Sequence, residues 1–160
     1  LGGLQMLKNI SIFDMDGAII DSSHRQATLP DGTLNLDAWI ENATPAKIAK
    51  DVVLPLAAQV QARVDAGDYV LICTARQMSD ADFQFLTDHG IVPHKIISRP
   101  LGNNEADGSL KAKQLSKLFN LKQFAKASKV MFDDAASVRS ALRKIGIAVL
   151  DPAKVAGRAA

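Results

Sequence analysis

Five short apolar runs are spaced along the chain, and each stops abruptly at a polar or charged residue. Residues 7–13 run into Asp14, 69–73 into Thr74, 95–97 into Ser98 and Arg99, 129–132 into Asp133, and 147–150 into Asp151. These runs are nearly continuous rather than alternating, as expected of strands covered on both faces. Helical stretches separate them. Thr44 and Pro45 form an N-cap and first-turn pair that opens a helical stretch to about Ala66, ahead of Gly67, with Pro55 expected to kink or split it. A second helix is expected over 80–89, stopping at Gly90, and further helices over 109–119 and 135–145. Strands alternating with helices predict an α/β fold, a three-layer Rossmann-like parallel sheet. In such sheets ligands bind beyond the carboxyl ends of the strands, which is where this chain collects its polar residues.

Composition narrows the options only modestly. The 160 residues fit one full-sized core, and 48% hydrophobic with 22% charged residues is ordinary for a globular protein. One Trp and one Tyr argue against a base-stacking platform, and a net charge of +2 does not by itself announce nucleic acid or membrane. The lone Cys73 excludes an intramolecular disulfide and a CxxC metal knuckle. No apolar run approaches the roughly 18–20 residues that cross a bilayer, so no membrane partner is expected. The opening LGGLQ lacks the charged and apolar regions of a signal peptide, and Met6 reads as a start. Residues 1–6 are therefore expected to be a tag or disordered extension, 7–160 a single domain, and the location cytoplasmic.

Four segments carry candidate chemistry. In Phe13-Asp14-Met15-Asp16-Gly17 two carboxylates two residues apart follow a buried strand, an expensive arrangement unless a hard dication compensates them. A calcium loop of the EF-hand kind would need glutamate at its twelfth position, which counted from Asp14 is Arg25. In Cys73-Thr74-Ala75-Arg76 a strand-end hydroxyl can donate to a phosphoryl oxygen and an arginine fork can grip two. In the segment from Asp107 to Lys113 either Lys111 or Lys113 could stabilise a carboxylate nucleophile and a phosphoryl group in transfer. Both equally suit a solvated basic face with Lys117, Lys122, Lys126 and Lys129. In Phe132-Asp133-Asp134-Ala135 adjacent acids repeat the logic of the first segment, although either also suits a helix cap.

The order FDMDG, CTAR, lysine, FDDA resembles the haloacid dehalogenase superfamily of phosphohydrolases, over about residues 7–150. The resemblance implies a Mg2+-dependent phosphomonoester hydrolase working through an aspartyl phosphate. Asp14 would be the nucleophile and Asp16 the general acid and then base. Thr74 and Lys111 would complete the catalytic set, Lys111 fitting better than Lys113 by its distance from Leu115. Magnesium would be held by Asp14, the Asp16 carbonyl and Asp134, with Asp133 in support. The intervals 18–44 and 76–95 are too short for a large lid, so a minimal cap and an open site are expected.

Within the superfamily, the motifs together with Ser98-Arg99-Pro100 are similar to the 3′-phosphatase domain of bacteriophage polynucleotide kinases. That likeness implies removal of 3′-phosphates from polynucleotide ends, in the host cytoplasm if phage-encoded, with Arg76, Arg99 and Lys113 on the substrate. No Gly-x-x-x-x-Gly-Lys-Ser/Thr loop is present for a kinase half. Two alternatives stay open: a small-molecule phosphatase for nucleoside monophosphates or sugar phosphates, and a binder of phosphorylated ligands without turnover. Asp21 to Arg25 is a candidate substrate loop, in which His24 reads as an exposed residue and Trp39 as a packing residue.

Overall fold

The computed structural model describes residues 5–156; the part of the expected extension at residues 1–4 lies outside them. Five parallel strands form the central sheet: β1 (Asn9–Phe13), β4 (Tyr69–Cys73), β5 (Lys95–Ile97), β6 (Ser128–Phe132) and β7 (Ala148–Leu150), in the order β5-β4-β1-β6-β7. All five fall on the expected apolar runs. β1 sits at the centre, paired in parallel with β4 on one side and β6 on the other. Its carboxyl end therefore lies between those of two neighbours, the position where an α/β sheet places its ligand.

Successive side chains leave a strand on opposite faces, and two separate cores follow from that rule. Phe13, Val70, Ile72 and Phe132 pack with Val60, Phe85, Leu86 and Ile91 from α3 (Ala58–Asp65), α4 (Asp80–Asp88) and the turn after it. Ile10, Ile12, Leu71, Cys73 and Met131 pack the other way, on Leu115, Val138 and Leu142 from α5 (Asp107–Phe119) and α6 (Ala136–Arg143). A sheet between two helical layers is the expected α/β architecture. α4 starts on a capping box between Ser79 and Asp82 and stops before Gly90, whose φ of 68° is in the left-handed region. Gly108 lets α5 lie close on α6, because a Cβ there would sit 3.1 Å from that of Ala141. The close approach helps bring Lys111, one turn further on, beneath the sheet's end.

The expected helix from Thr44 to Ala66 is not continuous. Thr44 does cap a helix, but that helix, α2 (Pro45–Ile48), lasts one turn. The chain then extends as β3 (Val52–Val53), and Pro55 opens a 3-10 turn (Pro55–Ala57) that leads into α3. β3 pairs antiparallel with β2 (Ile20–Asp21), so the proline marks a return from a small excursion rather than a kink. That excursion carries a 3-10 turn at Ser23–Arg25 and the short helices α1 (Leu36–Glu41) and α2. It is the minimal cap expected from the segment lengths. Among the described residues no helix is long and apolar enough to cross a membrane.

Candidate active site

The ends of β1, β4 and β6 bring the four sequence segments together. Asp14 follows β1 directly, and its backbone N–H donates to the Phe132 carbonyl at 2.9 Å, which seats it at the sheet's end. Lys111 reaches up from α5 and donates from one ammonium to Asp14 Oδ1 at 2.9 Å and to Asp133 Oδ2 at 2.7 Å. All three side chains are buried. Asp133 is fixed from its other oxygen as well, which accepts the Ala135 N–H at 3.0 Å. Asp134 lies across Gly17, whose φ is 79°, so closely that a Cβ there would collide with its carboxylate. Glycine after Asp16 is thus required twice, by backbone conformation and by approach.

Carboxylate oxygens of Asp14, Asp133 and Asp134 come within 4.8 Å of one another. Three acids share one buried ammonium, which leaves the pocket short of positive charge. Burial pushes the Asp14 carboxyl well above its ordinary range, Lys111 pulls it back, and Asp133 raises it again. Burial and the Asp133 charge likewise raise Asp134. Burial disfavours the charged form of Lys111, but Asp14 and Asp133 outweigh that and hold its proton more firmly than usual. A divalent cation fits this donor set: hard oxygen ligands, converging, with excess negative charge. Asp14, Asp134 and Asp133 are the side chains placed to hold it.

Asp16 faces away from that cluster. Arg76 donates to both of its oxygens, from Nε at 2.9 Å and from a terminal nitrogen at 2.6 Å, and the Ser22 hydroxyl donates at 2.6 Å. Its side chain remains a quarter exposed, so the carboxylate is oriented yet open to a ligand. Thr74 is buried at the end of β4, with its oxygen accepting the Arg76 N–H at 3.0 Å. In that arrangement the hydroxyl keeps its own proton to donate.

Three residues expected on the substrate have other partners. Arg76 donates to Asp82 at 2.7 Å and Asp51 at 3.2 Å in addition to Asp16. At 3% side-chain exposure a guanidinium without such acceptors would be prohibitively costly. Arg99 donates to the carbonyls of Ala75, Asn103 and Glu105 and to Asp107, tying the loop after β5 to the loop after β4. Lys113 points outward, 71% exposed, and pairs with Glu105. Sequence reasoning passed over Asp51 and Asp82, which accept from Arg76, and Arg139, which donates to the carbonyls of Asp133 and Asp134 at 3.0 and 2.8 Å; Arg25, expected in a substrate loop, is buried on Asp51 instead. Trp39, expected to pack against the helix below it, carries a charge on its ring: the Arg25 guanidinium lies 4.2 Å from the ring centre.

Comparison with known proteins places this constellation. The family described as bacteriophage T5 5′-deoxynucleotidase matches residues 4–158, nearly the whole chain. The chain belongs to that family. It is 29% identical to the 5′-deoxynucleotidase of Escherichia phage T5 over 164 residues, covering 91% of this chain and 67% of that protein. Among solved structures, a putative phosphatase from Clostridium difficile superposes with a TM-score of 0.65 at 15% identity, covering 92% of this chain and 86% of its own. A haloacid dehalogenase superfamily hydrolase from Geobacter sulfurreducens gives 0.60 at 12% identity, with 90% and 86% covered. A chain of the Pnkp1/Rnl/Hen1 RNA repair complex gives 0.61 at 16% identity over 93% of this chain, which spans only 44% of that one. At these identities the structural matches establish the fold, that of haloacid dehalogenase superfamily hydrolases. Family membership makes the chain a phosphoric monoester hydrolase.

Proposed function

We propose that the protein is a magnesium-dependent 5′-deoxynucleotidase, releasing inorganic phosphate from deoxynucleoside 5′-monophosphates through an aspartyl phosphate on Asp14. The observation that carries the substrate is the family match over residues 4–158, supported by the phage T5 relative. The polynucleotide 3′-end reading implies Arg76, Arg99 and Lys113 on the substrate, and the protein acceptors that engage all three count against that implication. A minimal cap suits a small substrate held by loops.

The chemistry follows from the placement of the two acids. The Asp14 carboxylate attacks phosphorus, and the bond from phosphorus to the nucleoside 5′-oxygen breaks. Asp16, having taken up a proton, delivers it to that oxygen, which leaves as the 5′-hydroxyl. Asp16 then accepts a proton from water as the water attacks the phosphoaspartate, cleaving the phosphorus–carboxylate bond and restoring Asp14. Lys111, bonded to Asp14, would balance charge on that carboxylate and on the phosphoryl group, and the Thr74 hydroxyl would donate to a phosphoryl oxygen. Asp14, Asp134 and Asp133 would hold Mg2+, which when bound neutralises the acid cluster and polarises the phosphoryl group.

The test is phosphate release in magnesium from a panel of deoxynucleoside 5′-monophosphates, their ribonucleotide counterparts, and oligonucleotides phosphorylated at the 3′ or the 5′ end. Deoxynucleoside monophosphates are expected to lead by about a hundredfold in kcat/KM over the oligonucleotides, a difference of about 2.7 kcal/mol. A preference for the 3′-phosphorylated oligonucleotide would overturn the reading.

A further inference from the structure

The Asp51 carboxylate is fully buried and is met from three directions by two guanidiniums and an imidazole. Arg25 donates to both of its oxygens, at 2.9 and 3.0 Å. His24 Nε2 lies 2.8 Å from one of them, and a terminal nitrogen of Arg76 donates to the other at 3.2 Å. That same nitrogen of Arg76 carries the 2.6 Å bond to Asp16. Asp51 and Asp16 therefore hold one guanidinium nitrogen between them, while Asp82 holds the opposite one at 2.7 Å. With acceptors at both ends and along one edge, the planar fork of Arg76 has its orientation fixed.

Two segments of the cap meet at Asp51. His24 and Arg25 come from the 3-10 turn that follows β2, and Asp51 itself immediately precedes β3, the partner of β2. Asn42 adds a bond from its side-chain amide to the Arg25 carbonyl at 3.1 Å. The carboxylate is therefore the point at which the cap segment is joined to the arginine that orients Asp16.

We propose that Asp51 is a positioning residue: through Arg76 it sets the orientation of the Asp16 carboxylate, and so the efficiency of proton transfer to and from the reacting oxygen. It touches neither substrate nor the reacting atoms. The inference rests on Asp16 being the acid and base of the reaction, and it holds for any phosphomonoester the site accepts. Loss of Asp51 removes the acceptor that shares a terminal nitrogen of Arg76 with Asp16, so that the fork settles on Asp16 and Asp82 alone, and leaves Arg25 without its carboxylate acceptor. The consequence falls on kcat rather than on KM, since ground-state binding of the phosphate does not pass through Asp16.

The experiment compares wild type with Asp51→Asn, well below the variant's melting temperature, using both a deoxynucleoside monophosphate and p-nitrophenyl phosphate. The second substrate separates this inference from the substrate assignment: turnover of p-nitrophenyl phosphate without turnover of the nucleotides would sink the assignment and still read out Asp51. A drop in kcat of about tenfold or more, with KM within about threefold, is expected on each substrate that wild type turns over. An independent readout is the Arg76 Nε–H signal in a nitrogen–proton correlation spectrum, assigned by its loss in Arg76→Lys. Its hydrogen bond to Asp16 should slow its exchange with solvent in wild type, and exchange should be faster in Asp51→Asn. Should the asparagine variant fail to fold, Asp51→Glu keeps the charge and displaces the carboxylate by one methylene, and the same loss in kcat is expected. An unchanged kcat in whichever variant folds, or a rise in KM alone, would overturn the proposal.

Discussion

Asp14 and Asp16 are two residues apart and live in opposite electrostatic worlds. On the Asp14 side three carboxylates converge on one ammonium, and burial holds Asp14 and Asp134 above their ordinary range. On the Asp16 side three carboxylates, Asp16, Asp51 and Asp82, each accept from a guanidinium of Arg25 or Arg76, with Ser22 and His24 supplying further polar contacts. The first cluster has one cation for three acids, whereas in the second two guanidiniums engage all three carboxylates. The contrast teaches where an external ion belongs: a site that satisfies its own charges has nothing to gain from a dication, whereas one with surplus buried acid is destabilised until a cation arrives.

The largest effect should come from neutralising one acid on each side. Asp14→Asn is expected to lower kcat by roughly three orders of magnitude or more, because no other carboxylate is placed to form the phosphoenzyme. In the metal-free protein the same change should raise the melting temperature, since it removes one of three converging charges. Asp51→Asn should lower the melting temperature, leaving two buried guanidiniums short of an acceptor at a cost of about 3–5 kcal/mol. Thermal melts in EDTA check both, and equal signs would break the comparison.

Metal binding sharpens the same contrast. EDTA should abolish turnover, and saturating magnesium should raise the wild-type melting temperature, stabilising by about 2.7 kcal/mol at a hundred times the dissociation constant. With Asp134→Asn that rise should shrink, while Asp51→Asn, remote from the acid cluster, should retain it. A magnesium-independent melting temperature in the wild type would remove the metal from the Asp14 side.

The two sides also differed in how far the sequence exposed them. Asp14, Thr74, Asp133 and Asp134 each sit at the end of an apolar run, so strand pattern alone brings them to one edge of the sheet. Lys111 is one lysine among several on its helix, preferred over Lys113 only through the family resemblance until burial against Asp14 sets it apart. Asp51 carries no such signal. It follows a one-turn helix, its arginine partners lie 26 residues before and 25 after it, and the local pattern suggested a continuing helix. The sheet was legible because each strand declares its own burial. The cap was not, because two-residue strands and single turns hold their shape through distant ion pairs rather than through periodicity.

A smaller effect should separate support from ligation on the metal side. Arg139 donates to the backbone carbonyls of Asp133 and Asp134, holding the loop that presents both carboxylates, much as Asp51 holds Arg76. Arg139→Gln is expected to weaken magnesium binding by about tenfold with kcat at saturating metal little changed, as for other outer-shell partners of a metal site. A magnesium titration of activity checks this. A fall in kcat that excess magnesium does not restore would mean that Arg139 acts on the chemistry rather than on the loop.

The smallest effect lies in acid. Burial pushes the Asp51 carboxyl up, but the hydrogen bonds from Arg25 and His24 and the charges of Arg25 and Arg76 outweigh it, leaving it below the ordinary 3.8. A carboxyl depressed in the folded state binds fewer protons there than in the unfolded chain, so stability rises with pH across that window. The contribution is present above about pH 3.8 and is lost as pH falls through the lower folded value. Asp51→Asn has no such group to titrate. The gap in melting temperature between wild type and Asp51→Asn should therefore stay level from about pH 6 down to about pH 4.5 and narrow below about pH 4. A gap as wide at the acid end as at neutrality would mean that the Asp51 charge is not what holds the two arginines, and the pairing that sets the Asp16 side apart would have to come from packing instead.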